Sequence, residues 1–598
     1  MPIFMPMWSA MRPVLGATVV LAIAGLACAK APPGPATVPY DGSVGSGDDW
    51  NMSVDHVDLT IDPANLGRSI SPLIYGYNSV RDPGKYGVAS LRAGGNRFTA
   101  YNWENNASNA GNDFMFQNDG YLVRSSATPD LPGEAVRPML ERALQIGAAA
   151  ILTIPNVDYL AADKLADGDV TLAPDYLTTR FKQNRSSKNA PLSLMPDATD
   201  AFVYQDEFVA WVADTFPDVP VLFSMDNEPD LWSSTHKEVH PDKVTYDELV
   251  RRNTEFGRAV KNVWPWIPVL GFASYGWQGF VNLQGAPDAT KGDFIDYYLD
   301  QMKAGEDDSG ARAVDYLDLH WYPEAQGRST SGTLARIVFA GSDSGPDMVQ
   351  ARVQAPRSLW DPSYREQSWI TTNVGGPIML IPRMQQKIEA HYPGTKLAIT
   401  EWNYGGGEDM SGAVATADVL GIFGREGVGA ANIWPSGRET FNVAAVGIYR
   451  NYDGVGARFG DTAVAARTSS IFSSSVYAAV ESTNQSRLVI VAINKRAQPT
   501  AATLRIVGDS SSELAGVWVL AGTTPAIQAG PILTTTTPGT FTYEMPALSV
   551  SVIVPGVDST LPPVPRVDGG AGDGPSPAVD ADDAAAPVTD AGVAPDAD

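Results

Sequence analysis

Short apolar runs punctuate the chain from residue 73 to residue 434. They cover 73–77, 88–91, 148–154, 219–225, 269–273, Tyr316–Trp321, 397–400 and 430–434. Each is four to seven residues long and mostly apolar, the texture of a buried strand. Amphipathic helical stretches lie between several of them, such as 201–215 and Tyr246–Val263. Eight strand–helix units of this kind predict an α/β fold, a (β/α)8 TIM-like barrel over residues 71–450.

Past residue 450 the period changes from helical to two. Arg487-Leu488-Val489-Ile490-Val491-Ala492-Ile493 and Leu548-Ser549-Val550-Ser551-Val552-Ile553-Val554 alternate between faces, with Gly, Pro and Thr turns between such runs. The expectation is an attached β-sandwich over 451–556. An alternating segment at 54–70 (Val54, Val57, Leu59, Ile61) has no place in the barrel count and is expected to join that sandwich.

The two ends carry different signals. Arg12 precedes an apolar run from residue 14 to residue 26, which leads through Ala27 to Cys28, the single cysteine of the chain. The layout is that of a secretory signal over 1–28, and the position of Cys28 resembles a bacterial lipoprotein signal; plain cleavage near Ala27 or Ala29 is the alternative. Either way the product is expected to be secreted or held at the cell surface, touching the membrane only through an N-terminal lipid. Residues 29–53 are a Pro/Gly/Ser-rich linker. Residues 558–598 hold nine Asp and one Arg among Ala, Pro and Gly, which predicts an acidic disordered tail from about 557 onward.

The formal net charge of −26 argues against nucleic acid or an anionic membrane surface as a partner, and favours a neutral polymer. With 14 Trp and 22 Tyr the chain is rich in the flat faces on which sugars stack. A monomer is expected.

In a barrel of this type the chemistry sits at the C-terminal ends of the strands. Two runs end in the same way: Val221-Leu222-Phe223-Ser224-Met225-Asp226-Asn227-Glu228-Pro229 and Leu397-Ala398-Ile399-Thr400-Glu401-Trp402-Asn403. By count these are strands four and seven, which face each other across the barrel mouth. Hydrolysis of a glycosidic bond requires one carboxyl that holds a proton and a second that is ionised, to attack or to activate water. Asn227, directly before Glu228, suits a contact to the sugar 2-hydroxyl. Arg92 ends strand two and is placed to keep Glu401 ionised. His320 and Tyr322 end strand six, and Trp434 ends strand eight, where it could floor the sugar at the cleavage point. Trp232, Trp321, Trp360 and Trp402 are further sugar platforms by position, with core packing the alternative for each.

These motifs resemble glycoside hydrolase family 44. The resemblance is carried by Arg92-Ala93-Gly94-Gly95-Asn96-Arg97-Phe98-Thr99-Ala100-Tyr101-Asn102-Trp103, by Ser224 through Trp232 and on to His236, by Asp318-Leu319-His320-Trp321-Tyr322-Pro323-Glu324, and by Ile399-Thr400-Glu401-Trp402-Asn403-Tyr404-Gly405-Gly406-Gly407. It spans roughly residues 55 to 555. It implies a barrel with an attached sandwich, a retaining mechanism with Glu228 as acid/base and Glu401 as nucleophile, and endo-action on β-1,4-glucans including xyloglucan. No cofactor is required for that chemistry. The family is associated with structural calcium, and Glu104, Asp197 and Asp200 are the residues that could contribute ligands; no metal-ligand set is assigned.

Other signals are weaker. His236 and His240 have zinc-like spacing, but Lys237 stands where a zincin needs Glu, and Pro241 ends any helix. Gly341-Ser342-Asp343-Ser344-Gly345 has no strand before it, as a nucleophile elbow requires. Two other function classes stay open at this level: a non-catalytic carbohydrate-binding surface lipoprotein, and a barrel glycosidase specific for mannan or xylan.

Overall fold

The computed structural model describes residues 54–557 and 559, apart from 79–81, 340–344, 436 and 438. The signal segment, the linker and the acidic tail past residue 559 therefore lie outside the described residues. Among those described, no helix is long and apolar enough to cross a membrane.

Eight parallel strands close into a barrel. In chain order they are β1 (Gly76–Tyr77), β2 (Ser90–Ala93), β3 (Ala149–Ile154), β4 (Val221–Met225), β5 (Val269–Ser274), β6 (Tyr316–Trp321), β7 (Lys396–Trp402) and β8 (Ala430–Ile433). β8 returns to pair with β1 through Ile433 and Tyr77, which completes the ring. The first strand is shorter than the apolar run at 73–77. Pro72 cannot donate into a ladder, and Ser71 caps a single 3-10 turn over Pro72–Ile74 instead. The helical pattern at 201–215 is likewise split. Phe202–Tyr204 pairs in parallel with 183–185, and only Gln205–Thr215 is helical. The Tyr246–Val263 helix begins on Thr245, whose side chain accepts from the Glu248 amide.

Inside the barrel, polarity rises towards the mouth. The lower layer is Ala149, Ile151, Leu222, Leu270, Tyr316, Ala398 and Ala430, all buried. Each large aliphatic residue held there contributes about 1.5–3 kcal/mol. Above it, Asp318 accepts from Ser224 Oγ (3.2 Å), Thr400 Oγ1 (2.9 Å) and the Thr400 amide (3.2 Å). Arg92, His320 and Glu401 stand next, at the strand ends.

The sheet-rich domain is built on a ten-stranded sheet, nine strands in one path and a tenth paired beside it. The segment His56–Ser69 lies within it, antiparallel to Thr462–Thr468 and parallel to Thr500–Ile506. The two-residue period sorts its side chains. Ile490 and Ala492 face an inner core with Val57, Leu59, Leu504 and Phe541. Val489, Val491 and Ile493 face the other way and join the large core of the barrel. One strand thus serves two cores, and the long Met410–Glu426 helix, buried along nearly its whole length, lies at that junction. Buried charge is fixed there too. Lys495 Nζ lies 2.7 Å from Asp418, each about 1% exposed, and Tyr477 donates to the same carboxylate at 2.6 Å.

Candidate active site

β4 ends at Met225, and the next turn runs against backbone preference: Asp226 (φ 66°) and Glu228 (φ 50°) are both left-handed. The fold holds this turn through the Asp226 carboxylate. It is fully buried and accepts from Thr99 Oγ1 (2.7 Å), the Asn227 amide (2.7 Å), the Asn156 amide and Trp232 Nε1 (3.3 Å). The Asp226 amide donates to Ile154 O of β3, and the Glu228 amide donates to Ala273 O of β5. Glu228 is therefore clamped between its two neighbouring strands. Burial raises its carboxyl to about 7, against the opposing charge of Arg92 and with a smaller push from Asp113. About a fifth of the side chain, 21%, reaches the open mouth.

Glu401 is held on both oxygens. Arg92 Nη1 donates to Oε1 at 2.7 Å, and Tyr322 OH donates to Oε2 at 2.8 Å. The same guanidinium donates to Asn78 Oδ1 (2.9 Å) and, through Nη2, to Asn227 Oδ1 (2.8 Å). The Gly95 amide also donates to that Asn227 oxygen at 3.0 Å, so the orientation of the Asn227 amide is fixed by the protein. Arg92 has no exposed side-chain surface. It is a mouth residue, not a partner at the barrel floor.

His320 lies between the carboxyls. Its Nδ1 is 2.8 Å from Glu228 Oε1 and 3.5 Å from Glu401 Oε2. Burial lowers its pKa to about 4, against the pull of Glu401, so the ring is neutral near neutral pH. A proton on Nδ1 serves the carboxyls and leaves Nε2, which has no partner among the described residues, as a bare lone pair. Glu228, His320 and Glu401 form the one described cluster with ligand-like spacing, atoms within 4.8 Å of one another. The Arg92 guanidinium on Glu401 already supplies the positive charge that a metal would bring there.

Trp434 lies half-buried past the end of β8, its carbonyl fixed by Asn403 Nδ2 at 2.7 Å. Its indole rests on Gly95 (φ +88°), where a Cβ would come within 2.5 Å of Trp434 Cη2. Glycine at 95 is thus required for the ring to lie at the mouth.

Three of the expected platforms are corrected by the structure. Trp232, Trp321 and Trp402 are at most 1% exposed and offer no face to a sugar. Trp232 packs on His240 and ties to Asp226, Trp321 donates to Tyr404 OH at 3.2 Å, and Trp402 packs edge-on against Phe423. Trp360 is partly buried against the same core, with the Arg425 guanidinium 4.1 Å over its ring. Glu104, Asp197 and Asp200, the residues that could contribute calcium ligands, have protein partners. Lys182 Nζ stands 2.8 Å from Glu104 and 3.6 Å from Asp200, while Asp197 accepts from Thr199. His236 and His240 spend both ring nitrogens on protein acceptors. Asn78 and Asp226 were missed as support for the site. Asn78 follows β1 directly, so the strand-end rule that selects Arg92 also selects it.

A family model described as glycoside hydrolase family 44 matches residues 107–325. Over 542 residues the chain is 42% identical to endoglucanase A of Paenibacillus lautus, covering 88% of this chain and 75% of that protein. The structure superposes on the family 44 endoglucanase Cel44A from Clostridium thermocellum with a TM-score of 0.79 at 39% identity, over 84% of this chain and 100% of the other. A Paenibacillus polymyxa family 44 xyloglucanase with xyloglucan gives the same TM-score at 37% identity, over 84% and 99%. With its barrel, its paired strand-end glutamates and likeness over most of its length, the chain belongs to glycoside hydrolase family 44.

Proposed function

We propose that the chain is a retaining endo-β-1,4-glucanase acting on cellulose-type glucans and xyloglucan, with Glu401 as nucleophile and Glu228 as acid/base. The observation that carries this reading is the opposed treatment of two carboxyls, one oxygen of each lying within 4.8 Å of the other. Glu401 accepts from a guanidinium and a phenol, and burial raises the Glu228 carboxyl to about 7. Carboxyls about 5–5.5 Å apart suit direct attack, whereas inversion leaves about 6.5–9.5 Å for a water, and so close an oxygen pair favours the former. The relatives named as endoglucanase and xyloglucanase support the substrate class.

In the first step Glu401 attacks the anomeric carbon, and Glu228 gives its proton to the departing oxygen. Arg92 and Tyr322 keep the attacking oxygens aimed. Asn227, its Oδ1 committed to Arg92 and Gly95, turns its NH2 to the sugar 2-hydroxyl. Trp434 floors the sugar being cleaved. Once Glu401 is an ester, Arg92 is no longer neutralised by it, and its charge draws Glu228 towards the carboxylate that activates water.

Proton NMR of xyloglucan or carboxymethyl-cellulose digestion is the test. The β-anomer of the product should appear first. An α-anomer would sink the retaining mechanism, and no reducing ends from any β-glucan would sink the hydrolase reading.

A further inference from the structure

The catalytic pair accounts for β2, β4, β6 and β7. The wall that continues from Glu228 through β5 and past β6 has no role so far. Tyr275 is the first residue beyond β5. Its amide donates to both oxygens of Asp230, each at 3.2 Å, and Ser274 Oγ donates to the same carboxylate at 2.8 Å. Asp230 lies two residues past Glu228, and the Glu228 amide is itself bonded to Ala273. The backbone of Tyr275 is therefore fixed to the acid/base turn, while its side chain is only half-buried. Its hydroxyl lies within the fields of Asp230, Glu324, Glu228 and Arg336.

The next element continues the wall. Arg336 donates to Tyr322 O at 3.0 Å and pairs with Glu324 at 3.1 Å, so it is anchored to the end of β6. Its guanidinium stands 4.8 Å over the ring of Phe339. Phe339 is nevertheless 62% exposed, a large apolar side chain backed by a charge on one face and open on the rest. An exposed aromatic ring backed in this way suits the apolar face of a pyranose.

We propose that Tyr275 and Phe339 bind the leaving-group half of the glucan chain, Tyr275 against the first sugar beyond the cleaved bond and Phe339 farther out. This rests on the assignment of Glu228 as proton donor. The departing oxygen must sit against that carboxyl, so the sugar bearing it leaves along the wall that Glu228 shares with β5 and β6. The sugar under attack lies on the other side, against Arg92, Asn227 and Trp434.

The test compares two substrates. Cellohexaose places sugars on both sides of the cleaved bond, whereas β-cellotriosyl fluoride has a leaving group of one atom. Phe339→Ala and Tyr275→Leu should each lower kcat/KM on cellohexaose about tenfold or more, the usual cost of losing one apolar contact in a specificity site. On the fluoride the change should stay under about twofold. Phe339 is exposed, so its variant keeps the fold, and a thermal melt of both variants checks this. Equal losses on the two substrates, or no loss on cellohexaose, would overturn the assignment. An unsubstituted enzyme inactive on both would sink the hydrolase reading itself, and this one with it.

Discussion

Glu228 is the sharpest place to test the site, because its protonation follows from its surroundings. Burial moves the carboxyl from 4.5 to about 7. That displacement is about 3 kcal/mol in favour of the protonated form. At pH 7 about half of the molecules then carry the acid proton, where an undisturbed carboxyl would carry it in about one of three hundred. Because the folded value is raised, the proton-bearing form is complete at low pH and is lost as pH climbs through 7. The perturbation is Glu228→Gln, which keeps shape and removes titration. On xyloglucan, kcat/KM of the native enzyme should fall with a midpoint near pH 7, and the variant should lose about 10²–10⁴ of its rate, the usual worth of general acid catalysis. On β-cellotriosyl fluoride, which needs little proton, the first step of the variant should persist and the descending limb should vanish. Survival of that limb in Glu228→Gln would assign it to another group. A loss on the fluoride as deep as on xyloglucan would remove Glu228 from the donor role.

Other perturbations separate chemistry from scaffold. Tyr322→Phe should lower kcat by about tenfold to a hundredfold with little change in melting temperature, since it removes one of the two donors that aim Glu401; an unchanged kcat would refute that aim. Trp434→Ala should lower kcat/KM on polysaccharide without loss of fold, whereas Trp232→Ala should cost about 3–5 kcal/mol of stability because its side chain is wholly buried. Thermal melts and kinetics on the two variants would refute this if the pattern were reversed. Asp418→Asn should destabilise the junction of barrel and sheet domain by about 3–5 kcal/mol, because Lys495 would remain buried without a counter-charge. Denaturant unfolding measures it, and a change within about 0.5 kcal/mol, typical of a surface site, would show the pair to be dispensable.

The barrel was legible in the sequence because parallel strands bury both faces, so β3 and β5 stand out as near-continuous apolar runs. β1 was less so: Pro72 interrupts the ladder while the apolar run continues through it. The strand-end rule also selected Arg92, Tyr322, Glu228 and Glu401, which the fold brings to one mouth. The tryptophans were not legible in the same way. Trp232 and Trp434 both follow strand ends, and the sequence treats them alike. One is covered by His240 and by Arg252 of the next helix, and the other is left open over Gly95. Exposure depends on what the fold places beside a ring, and the residues next to each tryptophan in sequence do not specify it. Lys182 shows the same limit, since its placement between Glu104 and Asp200 depends on the pairing of 159–161 with 181–183.

The strand His56–Ser69 pairs in parallel with Thr500–Ile506, His56 opposite Ala501 and Ile61 opposite Ile506. Some four hundred residues, most of them barrel, separate the two. During vectorial synthesis, at about 5–20 residues per second, this strand waits tens of seconds for its neighbour. Through that interval Val57, Leu59 and Ile61 form an apolar edge without a sheet. The barrel can assemble first, but the domain beside it cannot close until translation has passed residue 506. That delay leaves the His56–Ser69 segment without either of its partner strands while most of the chain is made.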